Sequence, residues 1–365
     1  MTEIESKHTA RPSETVVTLS YADLKNESLD LSENLEVGFG PSGLGIIAIT
    51  DVPGYPQLRK KLLPLAQRVA TLPEDVKKQL EDPPSRYSFG WSHGKEKLET
   101  GRPDQLKGSF YANLCKDIRT TSTMLMERYP TQCRNNLWPK EHLPELESTM
   151  KELGSLIIEV GFLLAHHCDK YVSSRNPKAE VESLQKILRR SQCHKGRLLH
   201  YFPNFDSHGD DDLSSWCGWH RDIGSLTGLT CAMYTKGGLE VPSPDPEAGL
   251  YIENREGKVV KAVYNADYLA FQLGETTEIL SRGLFHATPH CVKAPRQEIL
   301  GVERNSFAVF MQPQWDEPLK LPQINGESLN KVQGEYSNLR NFGDFSESKM
   351  LKYNYDPVHT VDVAT

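Results

Sequence analysis

Trp216 to Tyr234 reads WCGWHRDIGSLTGLTCAMY, and the reading of the fold turns on His220 and Asp222 inside it. The run has the character of a β-strand, and in a strand residues two apart point to the same face. An imidazole nitrogen and a carboxylate oxygen would then lie side by side, two of the donors that a metal site requires. A second imidazole, an anchor for a ligand and a scaffold of strands are what the rest of the chain has to supply.

The scaffold is legible on both sides of this stretch. RLLHYFP (197–203), GLYIEN (249–254), KVVKAVY (258–264), YLAFQLG (268–274), the region around His290 and NSFAVFMQP (305–313) all favour strand. Turns rich in Gly, Asn or Pro separate several of them. Many short strands at close spacing predict a sandwich or barrel. The expected fold is mainly β with flanking helices, built on a double-stranded β-helix, or jelly roll. Upstream, VVTLSYADL (16–24) reads as a strand and turn, and GLGIIAITDV (43–52) as a buried strand. Apolar spacing predicts helices over 56–70, with Pro64 as a kink, over 72–80, and over Glu145 to Tyr171. His166 and His167 then fall at the end of the last, where a helix C-terminus suits an imidazolium. Arg86 to Leu106 reads as loop. The organisation expected is a mobile tail over 1–14, a helix-rich region over 15–180 packed on a jelly-roll core over 181–324, and a helical tail over 325–365, all in one integrated domain.

LFHATPHCV (284–292) offers two further histidines. His286 and His290 are four apart, but Pro289 disfavours a shared helix face. At most one joins the metal, and His290, from which a short strand continues, is preferred. Two imidazoles and one carboxylate with open positions opposite make the facial set that holds ferrous iron. In RNSFAVF (304–310), Arg304 and Ser306 repeat the two-residue spacing. A guanidinium fork beside a hydroxyl suits a carboxylate. Taken singly, His-x-Asp and Arg-x-Ser occur by chance, and Arg304 alone reads as a surface ion-pair residue. Their order along strands, His-x-Asp, a distant His and then Arg-x-Ser, carries the signal.

On these motifs, the chain resembles the isopenicillin N synthase-like family of Fe(II)/2-oxoglutarate dioxygenases. GLGIIAITDV with the helices after it is similar to that family's N-terminal region. RLLHYFP is similar to the strand before the metal site, and LAFQLGETTEILSRGLFHATPHCV (269–292) to the stretch that ends on the distal histidine. The resemblance puts His220, Asp222 and His290 at the metal. It implies Fe(II), 2-oxoglutarate and O2 as cofactor and co-substrates, with Arg304 and Ser306 on the far carboxylate of 2-oxoglutarate. It implies oxidation of a C–H bond of a small molecule, by hydroxylation, desaturation or ring closure, with release of succinate and CO2. An amino acid or a secondary-metabolic intermediate is the default substrate. Arg86, Tyr87, Phe202, Phe271, Phe285 and Phe345 are pocket candidates. The chain departs from the family in three places. Asp222 to His290 spans 68 positions, longer than usual, and 237–249 reads as the extra loop. Arg296 rivals Arg304 as anchor but lacks the following x-Ser. Phe202 stands where many relatives carry a tyrosine, and phenylalanine has no hydroxyl to bond the co-substrate, so His200 is the expected substitute.

Composition narrows the alternatives. The net charge of −7 gives no reason to expect nucleic acid or an anionic membrane as partner, and no apolar run approaches the roughly 20 residues of a membrane helix. The polar start MTEIESKHTARPSE lacks the apolar core of a secretory signal. Seven scattered cysteines point to a reducing compartment, the cytoplasm by default. Two rival readings stay open: an iron oxidase of the same fold that does not use 2-oxoglutarate, and a non-catalytic module with zinc on Cys217, His220, His286 and His290.

Overall fold

A computed structural model describes residues 12–96, 103–176, 182–203, 216–295, 301–319 and 340–352. The chain opens with β1 (Ser13–Thr15), β2 (Val17–Ser20), α1 (Tyr21–Lys25) and α2 (Ser32–Phe39). β3 (Ile46–Thr50), α3 (Tyr55–Leu62), α4 (Pro64–Ala70) and α5 (Glu74–Gln79) follow. Next come β4 (Gly90–His93), β5 (Lys107–Asn113), α6 (Thr123–Arg128), α7 (Pro130–Cys133), α8 (Glu145–Arg175) and α9 (Leu184–Arg190). The strands β6 (Lys195–Tyr201), β7 (Cys217–His220), β8 (Leu226–Thr230), β9 (Met233–Lys236), β10 (Leu239–Val241), β11 (Gly249–Glu253), β12 (Val259–Val263) and β13 (Leu269–Leu273) then lead to α10 (Glu275–Leu280). β14 (His290–Lys293), β15 (Val302–Met311) and α11 (Phe342–Lys352) complete the described order.

The strands form two sheets. The larger runs β2-β3-β13-β8-β15-β6-β5-β4, with β9 paired to β15 and β10 to β9; the smaller runs β1-β12-β11-β14-β7. Side-chain alternation sorts the large sheet into two faces. Ile47, Ile49, Leu198, Phe271, Phe307 and Val309 point one way, into a core shared with Met150, Leu153, Ile157 and Val160 of α8. Ile46, Ala48 and Ala270 point the other way, against Ile252, Val260 and Ala262 of the small sheet. Farther along the same inner face, Leu199, Tyr201, Tyr234 and Ala308 meet Cys217 and Val292. The molecule thus has a helix layer, the large sheet and the small sheet, and the inter-sheet space holds the residues of interest. Among the described residues, no helix is long and apolar enough to cross a membrane.

Several local expectations change. Ser13 and Glu14, read as tail, belong to β1, which pairs with β12; residues 1–11 lie outside the described set. The turn after β2 is instead α1, whose start is capped by Ser20 Oγ accepting from the Asp23 N–H at 3.0 Å. Pro64 divides 56–70 into α3 and α4, as a residue without an N–H should. The loop expected over 86–106 contains β4, and 97–102 are outside the described residues. The long helix runs on to Arg175, so His166 and His167 are not at its end. His167 Nε2–H donates to the Leu24 carbonyl at 3.0 Å, a buried structural bond. The insertion at 237–249 is partly a hairpin: β9 and β10 pair across Gly237 and Gly238, both at positive φ (59° and 81°).

Candidate metal centre

Strand pairing brings the two imidazoles together. His220 and His290 are direct partners across β7 and β14, and their ring centroids are 4.2 Å apart. β7 ends at His220, however, so Asp222 is carried by the following loop and not by a strand face as the spacing suggested. One ligand atom from each of His220, Asp222 and His290 lies within 4.8 Å of the other two. His286 is elsewhere, with Nδ1 3.3 Å from Glu278 Oε2, so the four-ligand zinc set is not assembled.

Hydrogen bonds fix which ring nitrogens are available. His220 Nδ1 is 2.8 Å from the Gly218 carbonyl. A carbonyl only accepts, so Nδ1 carries the proton and Nε2 is left for the site, 3.9 Å from Asp222 Oδ1. His290 Nδ1 faces the Thr288 carbonyl at 3.3 Å and is protonated for the same reason. The Gln272 amide is 2.8 Å from that Nδ1 through its nitrogen. Half a turn of the amide exchanges its two end atoms and lets Oε1, otherwise buried without a partner, accept the proton. Second partners of this kind orient metal-bound histidines. Burial opposes charge on His220, but Cys217 and Asp222 outweigh it and push its pKa up to about 9. Burial and the neighbouring His220 hold His290 down to about 4. At neutral pH both rings therefore keep the Nδ1 proton and His220 carries a further one on Nε2, which a divalent cation would displace.

Arg304 and Ser306 share the inner face of β15, with Arg304 Nη1–H donating to Ser306 Oγ at 3.4 Å. Arg304 is flanked in register by Tyr201 of β6 and Tyr234 of β9, and its guanidinium lies 4.7 Å from the Tyr201 ring centroid. Tyr201 and Tyr234 pack with Cys217 and Val292, which puts this pocket in the same inter-sheet space as the two histidines. Among the described residues, no carboxylate lies within ion-pair distance of Arg304, and its buried Nε has no hydrogen-bond partner. A buried guanidinium without a counter-charge is costly. The arrangement is that of a site for a carboxylate from outside.

Strand register corrects the expected partner. His200 points to the opposite face of β6, where its Nδ1 meets Asn305 Oδ1 at 2.8 Å. It therefore does not serve the Arg304 pocket, and Tyr201 brings the phenol there instead. Phe202 rests on His93 and His200, at 4.8 and 4.6 Å between ring centroids. Phe271 and Phe285 belong to the helix-side core, Phe285 stacked on Tyr171 and edge-on to Phe39, so neither lines the inter-sheet space. Arg86 is paired with Glu347 of α11. Tyr87 takes Lys95 over its ring at 4.8 Å. Phe345 packs with Ile279, Leu319, Phe342 and Ile223. Arg296 lies outside the described residues.

One wall escaped the sequence reading. Lys107, Ser109 and Tyr111 of β5 pair in register with Tyr201, Leu199 and Arg197 of β6, on the inner face. Lys107 Nζ contacts Glu96 Oε2 at 2.8 Å, Asp104 Oδ2 at 2.9 Å and Cys217 Sγ at 3.6 Å. Arg197 reaches Glu96 Oε1 at 2.7 Å and Ser109 Oγ at 3.0 Å. The alternation of Lys107, Ser109 and Tyr111 could have signalled a strand with a polar inner face.

No family model matches the chain, and no curated protein matches it. Solved structures do. A Caulobacter crescentus protein assigned to the 2OG-Fe(II) oxygenase family is similar at a TM-score of 0.68 and 18% identity, over 92% of this chain and 99% of that one. A full-length Neurospora crassa protein in complex with alpha-KG gives 0.67 at 18% identity, over 92% of this chain and 96% of that one; the same Neurospora crassa protein has also been seen with alpha-KG and thymine. An Arabidopsis thaliana dioxygenase for auxin oxidation, in a binary complex with 2-oxoglutarate, gives 0.54 at 15% identity, over 85% of this chain and 98% of that one. At such identities the likeness is one of fold. The chain shares the fold of 2OG-Fe(II) oxygenases, as its motif order led us to expect.

Proposed function

We propose that this protein is an Fe(II)- and 2-oxoglutarate-dependent oxygenase acting on a small molecule. The observation that carries the reading is the His220, Asp222 and His290 cluster, within 4.8 Å, sharing one inter-sheet space with a buried Arg304 that has no counter-charge among the described residues. Neither feature stabilises a fold; together they suit a divalent metal and a dicarboxylate. The shared fold supports the same reading and favours a double-stranded β-helix as the description of the two sheets.

His220 Nε2, His290 Nε2 and an Asp222 oxygen would hold the iron, two nitrogens and one oxygen being a donor set that suits Fe(II) and leaves positions open. The chemistry supplied by such a centre, once loaded, is oxidation of an unactivated C–H bond coupled to conversion of 2-oxoglutarate to succinate and CO2. Arg304 would take the far carboxylate of 2-oxoglutarate through its fork, helped by Ser306 Oγ and oriented by the Tyr201 ring. Gly218 and Gln272 keep each imidazole in the tautomer that presents Nε2. Trp216, Tyr234 and Val292 keep bulk water from the charged groups, where the protein's task is orientation and exclusion.

The substrate is proposed to be a small molecule, an amino acid or a secondary-metabolic intermediate; thymine on the Neurospora crassa protein is an example of that size class. We read the chain as one integrated unit because β2 to β5, from 15–180, join the sheet built by 181–324. No disulfide joins the cysteines, which suits a cytoplasmic setting. The test is succinate release from 2-oxoglutarate by iron-loaded protein in air. Wild-type protein should form succinate slowly even without substrate, and Arg304→Met should raise the KM for 2-oxoglutarate by about 10-fold or more, as loss of a charged hydrogen-bond pair implies. Bound iron with no succinate formed under any condition would contradict the use of 2-oxoglutarate and favour an oxidase whose own substrate carboxylate meets Arg304.

A further inference from the structure

Asp222 sits in a loop, so something other than a strand has to hold it. Four consecutive carbonyls, from Asp222 to Ser225, are all bound by the first residues around α10. Glu275 N–H donates to Asp222 O at 2.8 Å, and Thr276 Oγ1 to Ile223 O at 2.7 Å. Thr276 N–H donates to Gly224 O at 3.2 Å. Gly274 N–H and Thr277 Oγ1 both donate to Ser225 O, at 3.0 and 2.9 Å. The fit is close: a Cβ on Gly274 would stand 2.1 Å from Gly224 O and 3.1 Å from Asp222 O.

α10 is in turn tied to α11. Lys349 Nζ lies 2.7 Å from Glu275 Oε1, with both side chains largely buried. Phe345 and Phe342 pack on Ile279 of α10, and Ile223, next to Asp222, packs against the same cluster. The other side of α11 is fixed by Glu347, which pairs with Arg86 and accepts from Thr131 Oγ1 at 2.6 Å. A continuous chain of contacts therefore leads from the C-terminal helix through Glu275 to the backbone of Asp222.

We propose that Lys349 and Glu275 are positioning residues for the metal ligand Asp222, and that α11 is a brace for the metal centre as well as a cover for the core. The inference rests on the metal reading above. A buried ion pair whose one partner carries the backbone donor to Asp222 couples the seating of α11 to the direction of the carboxylate. Partners one step removed from a metal ligand change affinity by about 10- to 100-fold when lost.

The test is titration of the full chain with Co(II) alone, followed by calorimetry and by the visible spectrum of the bound ion. Lys349→Met, acting through Glu275, should raise the Kd by about 3- to 10-fold, at or below the low end of that range, and alter the Co(II) spectrum, while Lys349→Arg, which keeps the ion pair, should restore both to near wild-type values. Gly228→Ala, which strains the sheet on its helix side, serves as a control that lowers stability and should leave Kd and spectrum unchanged. Unchanged Kd and spectrum in Lys349→Met would overturn the inference. So would equal losses in Lys349→Met and Gly228→Ala, which would mean that destabilisation alone is being read. If wild-type protein itself fails to bind Co(II), it is the metal reading that falls; binding by wild type without an effect of Lys349 removes only the brace.

Discussion

Arg304 brings a charge into a space where the described residues offer it a hydroxyl and aromatic faces. His194, also buried, shows the opposite solution. Its Nε2–H donates to the Leu188 carbonyl at 3.1 Å, and its Nδ1 accepts the Gln312 N–H at 3.3 Å. Both nitrogens are used by the neutral ring, and burial holds the pKa down to about 4. Because the folded value lies below the unfolded value of about 6.5, His194 contributes stability at and above pH 6.5, and that contribution is lost as pH falls from 6.5 through 4. The full effect is on the order of 3 kcal/mol. Urea midpoints followed over that window should fall with acid in wild-type protein and fall less steeply in His194→Asn. Equal slopes would show that His194 is not held neutral.

At the scale of elements, the join between α8 and the large sheet depends on small residues. A Cβ on Gly228 of β8 would lie 2.2 Å from Ile157 Cγ2 of α8. Ile157 is β-branched and cannot swing aside cheaply. Gly228→Ala should therefore cost about 1–3 kcal/mol, read as a lower thermal midpoint; an unchanged midpoint would show that α8 can shift. The elements also explain what could be read from the chain. The strands around His220, His290 and Arg304 were legible because short strand-like runs there are separated by turns rich in Gly, Asn or Pro, and the helix over α8 because its apolar stripe is long. β5 was not, since Lys107, Ser109 and Tyr111 put polar groups on a face that is buried in the fold. That Tyr201 and not His200 faces the pocket was not legible either, because a one-residue step reverses the face, and only the pairing of Tyr201 with Arg304 decides it. The loop position of Asp222 depends on α10, some 50 residues later, and local spacing carries no trace of it.

For the whole molecule, the layers matter through what they bring together. The small sheet contributes His220 and His290, its exit loop contributes Asp222, and the large sheet contributes Arg304, Ser306 and Tyr201. Helices cover the other face of the large sheet, and the inter-sheet space, apolar where Ile46 and Ala270 meet Ile252, has room beside that packing for the polar groups. Both sheets therefore have to act on one small assembly of ligands. Anaerobic titration with Fe(II), with and without 2-oxoglutarate, tests this most directly. With both present, wild-type protein should develop the visible metal-to-ligand absorption band of chelated 2-oxoglutarate, Asp222→Ala should bind iron at least about 100-fold more weakly, and Arg304→Met should need far more 2-oxoglutarate to reach the same band. Iron bound as tightly by Asp222→Ala as by wild type, or bound with no band at saturating 2-oxoglutarate, would contradict it.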